Sequence, residues 1–234
     1  MCGRYYLVGT GPELRAEFEL DSFGIDWEPR YNIAPQQLVP MIIEHRGKRS
    51  IGLVRWGLVP AWAPDESTGM KTINARAETI ATKPAYREAF RHRRCIVPAS
   101  GFYEWRSDPV RGKVPMAVQP ANGEPIAFAG LWEKWRGPDG RTLTTCTIVT
   151  TGAAPEIRHI HDRMPVILDR AAQRLWLDPD TDPDTLQSLL QPPTDARLAA
   201  YAVSRLVNAV ANDTEDCLLP AADDDSAATL DLFD

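Results

Sequence analysis

Four groups of residues in this 234-residue chain have the types and spacings that chemistry requires. The first is Met1-Cys2-Gly3. A small second residue permits removal of the initiator methionine, which would leave Cys2 with both a free α-amine and a free thiol. The amine titrates near pH ~8 and the thiol near ~8.5, so neither needs a large shift to become nucleophilic. An amine attacks an aldehyde to give a Schiff base. A thiol on the neighbouring carbon can then close on the imine carbon and form a thiazolidine, a five-membered ring that resists hydrolysis. Position alone does not separate this reading from an incidental cysteine.

The second group, Asn74-Ala75-Arg76-Ala77-Glu78, alternates polar and small residues. On a strand, all three polar side chains would share one face. Asn74 would offer an oriented amide and Arg76 a phosphate-matching fork, although a solvated surface strand has the same pattern. The third group sets Glu104 between aromatics in Gly101-Phe102-Tyr103-Glu104-Trp105. Burial there would raise the carboxyl pKa toward neutrality, as proton transfer needs; a structural ion pair with an arginine is the competing account. The fourth, His159-Ile160-His161-Asp162-Arg163, supplies a histidine pair that could shuttle protons. Two histidines without a third ligand make a poor metal site, and the four cysteines form no C-x-x-C pair, so neither metal nor cofactor is expected. Cys95 and Cys146 lie in apolar runs and read as core residues.

The elements that must position these groups are mostly strands. Strand-like runs occupy 3–8, 39–45, 49–59, 95–105, 114–119, 125–132 and 142–151, separated by turn signals such as Arg46-Gly47-Lys48 and Gly137-Pro138-Asp139-Gly140. Helical patterns are short, at 11–20, 84–92, 154–159, 170–177 and 183–191, and the 20 prolines speak against longer ones. The fold class is therefore read as α+β, a mainly antiparallel sheet curled into a barrel-like core with short flanking helices. Residues 1–211 are assigned to one domain and 212–234 to an acidic, mobile tail.

Composition excludes several classes. A hydrophobic content of 44% and a charged content of 25% are those of a globular protein. No apolar run reaches the ~20 residues of a membrane helix, and the first ten residues lack a secretory signal, which predicts a cytoplasmic protein. The net charge of −6 is unevenly spread: residues 1–170 hold 23 of the 26 Lys and Arg but only 19 of the 32 Asp and Glu. A mildly basic body is compatible with phosphate binding and equally with ordinary solvated faces. Trp56, Trp62, Trp105, Trp132 and Trp135, with Tyr5 and Tyr6, could pack in the core or stack on bases of single-stranded DNA.

Eight blocks together resemble one family, the SOS-response-associated peptidase (SRAP) family, whose members shield abasic sites. They are MCGRY, RYNIAPQQ, RWGLVPAWA, INARAET, RCIVPASGFYEW, AGLWEKW, CTIVTTGA and IHDRMPVIL, in that order over most of residues 1–170. The resemblance implies an SRAP fold in which Cys2, exposed by loss of Met1, forms a thiazolidine crosslink with an abasic site in single-stranded DNA. It implies that Asn74 positions Cys2 and the sugar, that Glu104 moves protons during ring opening and reversal, and that His161 assists the Schiff-base step. Arg4, Arg76 and Arg163 are implied contacts to phosphate or sugar, and Trp62 is taken as a further DNA contact. The expected protein is a monomer of the DNA-damage response, associated with the nucleoid when bound to DNA.

Two rival readings belong to other classes. A cysteine peptidase acting on itself or on other proteins would use a Cys–His–Glu set, but it needs an oxyanion hole that no sequence feature identifies. A non-covalent single-strand binder would leave Cys2, Glu104 and His161 without a task.

Overall fold

The computed structural model describes residues 2–194 and 196–221. Its strands are β1 (Tyr5–Leu7), β2 (Ser22–Phe23), β3 (Arg30–Ile33), β4 (Leu38–His45), β5 (Lys48–Trp56), β6 (Asn74–Arg76) and β7 (Arg94–Ala99). They continue as β8 (Gly101–Asp108), β9 (Gly112–Pro120), β10 (Ile126–Arg136), β11 (Thr142–Gly152), β12 (Arg163–Pro165), β13 (Ile167–Leu168) and β14 (Leu198–Ala202). The helices are α1 (Gly11–Glu17), α2 (Arg87–His92), α3 (Arg170–Leu177) and α4 (Pro183–Ser188). The fold is α+β, as the strand-rich, proline-broken sequence predicts.

Five strands close into a barrel. β4 pairs with β5 and β7, β7 with β10, and β10 with β11, all antiparallel. β11 then returns to β5 through a short parallel pairing of Thr145 with Arg55 and Cys146 with Trp56. Closure leaves no unpaired edge between these strands. A second sheet runs in the order β14-β9-β8-β1-β3. Tyr5 of β1 joins the two, its ring packed edge-on at 5.5 Å from Trp56 and 6.0 Å from Phe128 inside the common core.

The run 95–105, which reads as one strand, is two. β7 belongs to the barrel and β8 to the second sheet, and Ser100 is the hinge between them. Ser100 donates its N–H to the Tyr6 carbonyl at 2.8 Å, and its hydroxyl oxygen accepts the Val8 N–H at 3.0 Å. Gly101 is required there because a Cβ would lie 2.3 Å from the Tyr6 hydroxyl and 2.5 Å from the Val118 carbonyl oxygen.

The helices follow their caps. α3 spans the residues expected, with the Asp169 carboxylate accepting the Ala172 N–H at 2.7 Å and Gln173, Trp176 and Leu177 forming its buried face. Truncating the fully buried Trp176 would cost about 3–5 kcal/mol. α1, α2 and α4 are shorter than their sequence patterns, and 154–159 is not a helix but a string of tight turns, in which Ile157 and Ile160 donate to carbonyls three residues back. The expected tail, 212–234, is described only in its first ten residues. Residues 212–221 carry a 3₁₀ turn, bury Cys217 and bridge Pro220 to Val203, while residues 222–234 lie outside the described residues. None of the described helices is long and apolar enough to cross a membrane.

Candidate functional site

The antiparallel register of β1 on β8 builds the site. Tyr5 faces Phe102, and the Tyr103 N–H donates to the Arg4 carbonyl at 2.9 Å, so residues 2–4 run alongside 103–105. Cys2 is thereby carried into the neighbourhood of Glu104, and both are buried. Burial pushes the Cys2 thiol well above its ordinary pKa, and the Glu104 carboxylate adds to the rise; the Arg4 carbonyl, 3.9 Å from the sulfur, opposes it. The thiol is thus held neutral. Burial likewise raises the Glu104 carboxyl, while His161 pulls it down.

Asn74 approaches from a different element. β6 lies parallel to β11, with Asn74 opposite Ile148, and it is fixed from both sides: Trp56 Nε1 donates to the Ile73 carbonyl at 2.8 Å and the Tyr86 hydroxyl to the Asn74 carbonyl at 3.1 Å. Its side-chain amide donates to the Cys2 carbonyl at 2.7 Å. The alternation on β6 does put Asn74 and Arg76 on one face, with Arg76 exposed. Glu78, just beyond the strand, forms an ion pair with Arg163, whose Nη2 also donates to the Thr150 carbonyl at 2.7 Å.

His161 follows the turns at 155–160, its N–H donating to the Ile157 carbonyl at 3.2 Å. Its Nε2 lies 3.9 Å from Glu104 Oε2. Its Nδ1 accepts the Arg163 N–H at 2.9 Å and also lies 3.0 Å from the exposed Asp162 carboxylate. One ring nitrogen cannot accept the first and donate to the second at once. The backbone donor is fixed by the fold, so the neutral ring carries its proton on Nε2, toward Glu104.

The four chemical residues therefore meet. Cys2, Asn74, Glu104 and His161 come from the segment before β1, β6, β8 and the loop before β12, and they set groups able to exchange protons around a buried thiol. His159 is exposed and stands outside it. The four implied DNA contacts are more dispersed. Trp62 is 64% exposed and Arg76 exposed, Arg163 is paired with Glu78, and Arg4 is turned inward onto Asn32, Val207 and Trp105. Of the aromatics considered as base platforms, Tyr5, Tyr6, Trp56 and Trp135 are core.

Asn32 and Asp213 escape a sequence reading. Asn32 is completely buried and Asp213 accepts the Tyr31 and Asn32 N–H groups at 2.6 and 2.8 Å. The available signal was an amide inside the otherwise apolar Tyr31-Asn32-Ile33-Ala34. Among the described residues no cluster of three or more His, Cys, Asp or Glu could hold a metal ion. A cavity of about 750 Å³ between β13, α3 and residues 189–198 contains none of the four chemical residues.

Comparison with known proteins places the chain in a family. The SOS response associated peptidase (SRAP) family model matches residues 1–210. The chain is 45% identical over 221 residues to the abasic site processing protein YoqW of Bacillus subtilis (strain 168), covering 93% of this chain and 99% of that protein. It is 33% identical over 226 residues to the abasic site processing protein HMCES of Gallus gallus, covering 83% and 67%. A crystal structure of a protein from Bacteroides thetaiotaomicron superposes with a TM-score of 0.84 over 94% of this chain and all of that one; at 24% identity it speaks to the fold alone. A second, from Bordetella bronchiseptica, gives a TM-score of 0.75 at 27% identity over 87% of this chain and all of that one. With a family model spanning nine-tenths of its length and a relative at 45% identity, the chain belongs to the SRAP family.

Proposed function

We propose that the protein processes abasic sites in single-stranded DNA by covalent capture through Cys2, once Met1 has been removed. The observation that carries this reading is the convergence of Cys2, Asn74, Glu104 and His161, with Glu104 and His161 3.9 Å apart and Asn74 bonded to the Cys2 carbonyl. The names of YoqW and HMCES, abasic site processing proteins, supply the substrate class.

The first nucleophile is the amine. A buried thiol with a raised pKa is a poor attacking group, whereas a primary amine titrates near pH ~8. The Cys2 amine adds to C1 of the ring-opened sugar, and the carbinolamine loses water to give an imine. Glu104 takes the amine proton and returns it to the departing hydroxyl. The sulfur then bonds to the imine carbon, the imine π pair moves onto nitrogen, and the thiol proton follows it by way of Glu104 and His161. The product is a thiazolidine that shields the lesion. In reverse, Glu104 takes that proton from the ring nitrogen and hands it to the sulfur as the C–S bond breaks and the imine re-forms. The body acts as a monomer, with Arg76 and Trp62 on its surface available to phosphate and base and with Arg4 and Arg163 set closer to the sugar.

The test is intact-protein mass spectrometry of the Met1-free chain after incubation with a single-stranded oligonucleotide holding one abasic site, beside an undamaged control. A covalent product on the damaged strand alone, localised to Cys2, is expected. No adduct on a correctly processed chain would overturn the reading, and cleavage of peptide substrates would then be measured, since a cysteine peptidase is the remaining use of this constellation.

A further inference from the structure

The segment between Ser204 and Asp213 touches both sides of the site without contributing a reactive group. On one side, Arg4, two residues from Cys2, donates from Nη1 to the Val207 carbonyl at 2.6 Å and to Asn32 Oδ1 at 2.7 Å. On the other, Trp105, next to Glu104, donates from Nε1 to Asn208 Oδ1 at 2.8 Å. The Arg4 guanidinium lies 5.7 Å from the Trp105 ring centroid, so the two sides also meet. Asn32 anchors the segment from β3. Its Nδ2 has two protons and faces three carbonyl oxygens, those of Val207 at 3.2 Å, Ala209 at 3.0 Å and Asn212 at 2.6 Å. Asp213 closes the loop by accepting the Asn32 N–H at 2.8 Å and pairing with Arg30.

A completely buried amide whose every polar atom is spent on one segment and on Arg4 fixes a distance. We infer that residues 204–213 form a strap that sets the separation of Cys2 from Glu104, with Asn32 as its positioning residue. The inference rests on the covalent-capture reading for the meaning of that separation. Asn32 touches no reacting atom; it acts through Arg4 on the Cys2 segment, while Asn208 acts through Trp105 on the Glu104 strand. Small displacements of reacting groups cost large factors in rate, which gives the strap its leverage.

The experiment compares four Met1-free proteins: wild type, Asn32→Asp, Asn208→Ala and Leu186→Ala. Asn32→Asp keeps the shape and the Arg4 partner but turns a carboxylate toward three carbonyls. Leu186, buried in α4, serves as a control for loss of stability outside the strap. Three quantities are read: the single-turnover crosslinking rate at saturating abasic-site oligonucleotide across pH, affinity for undamaged strand, and iodoacetamide alkylation of Cys2 without DNA. Asn32→Asp is expected to lower the rate about tenfold or more, move the midpoint of its pH profile and speed Cys2 alkylation, with affinity unchanged. Asn208→Ala should move all three in the same direction by less. Leu186→Ala should lower the melting temperature while leaving rate, profile and alkylation as in wild type. Asn32→Asp behaving like wild type or like Leu186→Ala would overturn the strap. If Asn32→Asp does not fold, the exposed Asn208→Ala decides, and unchanged rate and alkylation there refute it. A wild type that forms no adduct defeats covalent capture instead, and the alkylation contrast still decides the strap.

Discussion

His161 directs its Nε2 at Glu104 across 3.9 Å while its Nδ1 is occupied by the Arg163 backbone N–H. The ring is thereby limited to one tautomer, and the proton it holds faces a carboxyl whose own pKa burial has raised. A histidine and a carboxyl so placed can relay a single proton between them. Such a pair suits the reversible capture proposed above.

Replacing Cys2 by Ser keeps the amine and removes the sulfur. The expected product with an abasic strand is an imine, trapped by borohydride but lost on dilution or mild heating, whereas the wild-type adduct survives without reductant. Equal, reductant-independent survival of the two adducts would refute ring closure through sulfur.

Glu104→Gln separates activity from stability. A carboxyl whose folded pKa is raised favours the folded state only while protonated, so its contribution is present below the ordinary value of about 4.3 and is lost as pH rises through the folded value. As pH rises above that ordinary value the wild type takes on the cost of a buried charge and the Gln variant does not. The variant should therefore melt higher at pH 7, with the gain vanishing toward pH ~4, and should form and release the adduct more slowly. A lower melting temperature at pH 7 would mean that the carboxylate is stabilised by its surroundings, contrary to the direction given by burial.

Arg76→Ala removes an exposed cation at the end of β6. If it meets a phosphate, affinity for single-stranded DNA should drop at low salt and the log–log salt slope should flatten by about 1. An unaltered slope would take Arg76 out of the interface.

Trp62→Ala should weaken single-strand binding by about 1–3 kcal/mol, the value of one base stacked on an aromatic ring. Because the ring is 64% exposed, thermal stability should hardly change. Affinity equal to wild type would assign Trp62 no base.

The barrel was legible because its strands carry dense apolar runs, and α3 because Asp169 caps a helix whose buried face repeats at the helical period. Cys2 and Glu104 stood out because a second-position cysteine and a carboxylate among aromatics are locally unusual, while the roles expected of them came from the family resemblance. What local pattern could not give was partnership at a distance. Asp213 sits in an acidic stretch, yet its bonds are to residues more than 180 positions earlier. Arg4 and Arg163 entered as DNA contacts through the family resemblance, and only the folded arrangement reveals Asn32, Val207 and Glu78 as their partners. The break at Ser100 was hidden for a related reason: both strands are buried, so hydrophobicity runs on without interruption where the chain changes sheets.

Gly101 gives that change of sheet a further meaning. It pairs with Tyr6 where β1, which follows Cys2, lies on β8, which carries Glu104, and the nearest atoms leave no room even for a methyl group. The seating of β1 on β8 is therefore set by a missing side chain. A contact of that kind has no finer setting: any side chain at 101 either wedges β1 from β8 or displaces Tyr6, so this pairing can be lost in one substitution but not adjusted by degrees.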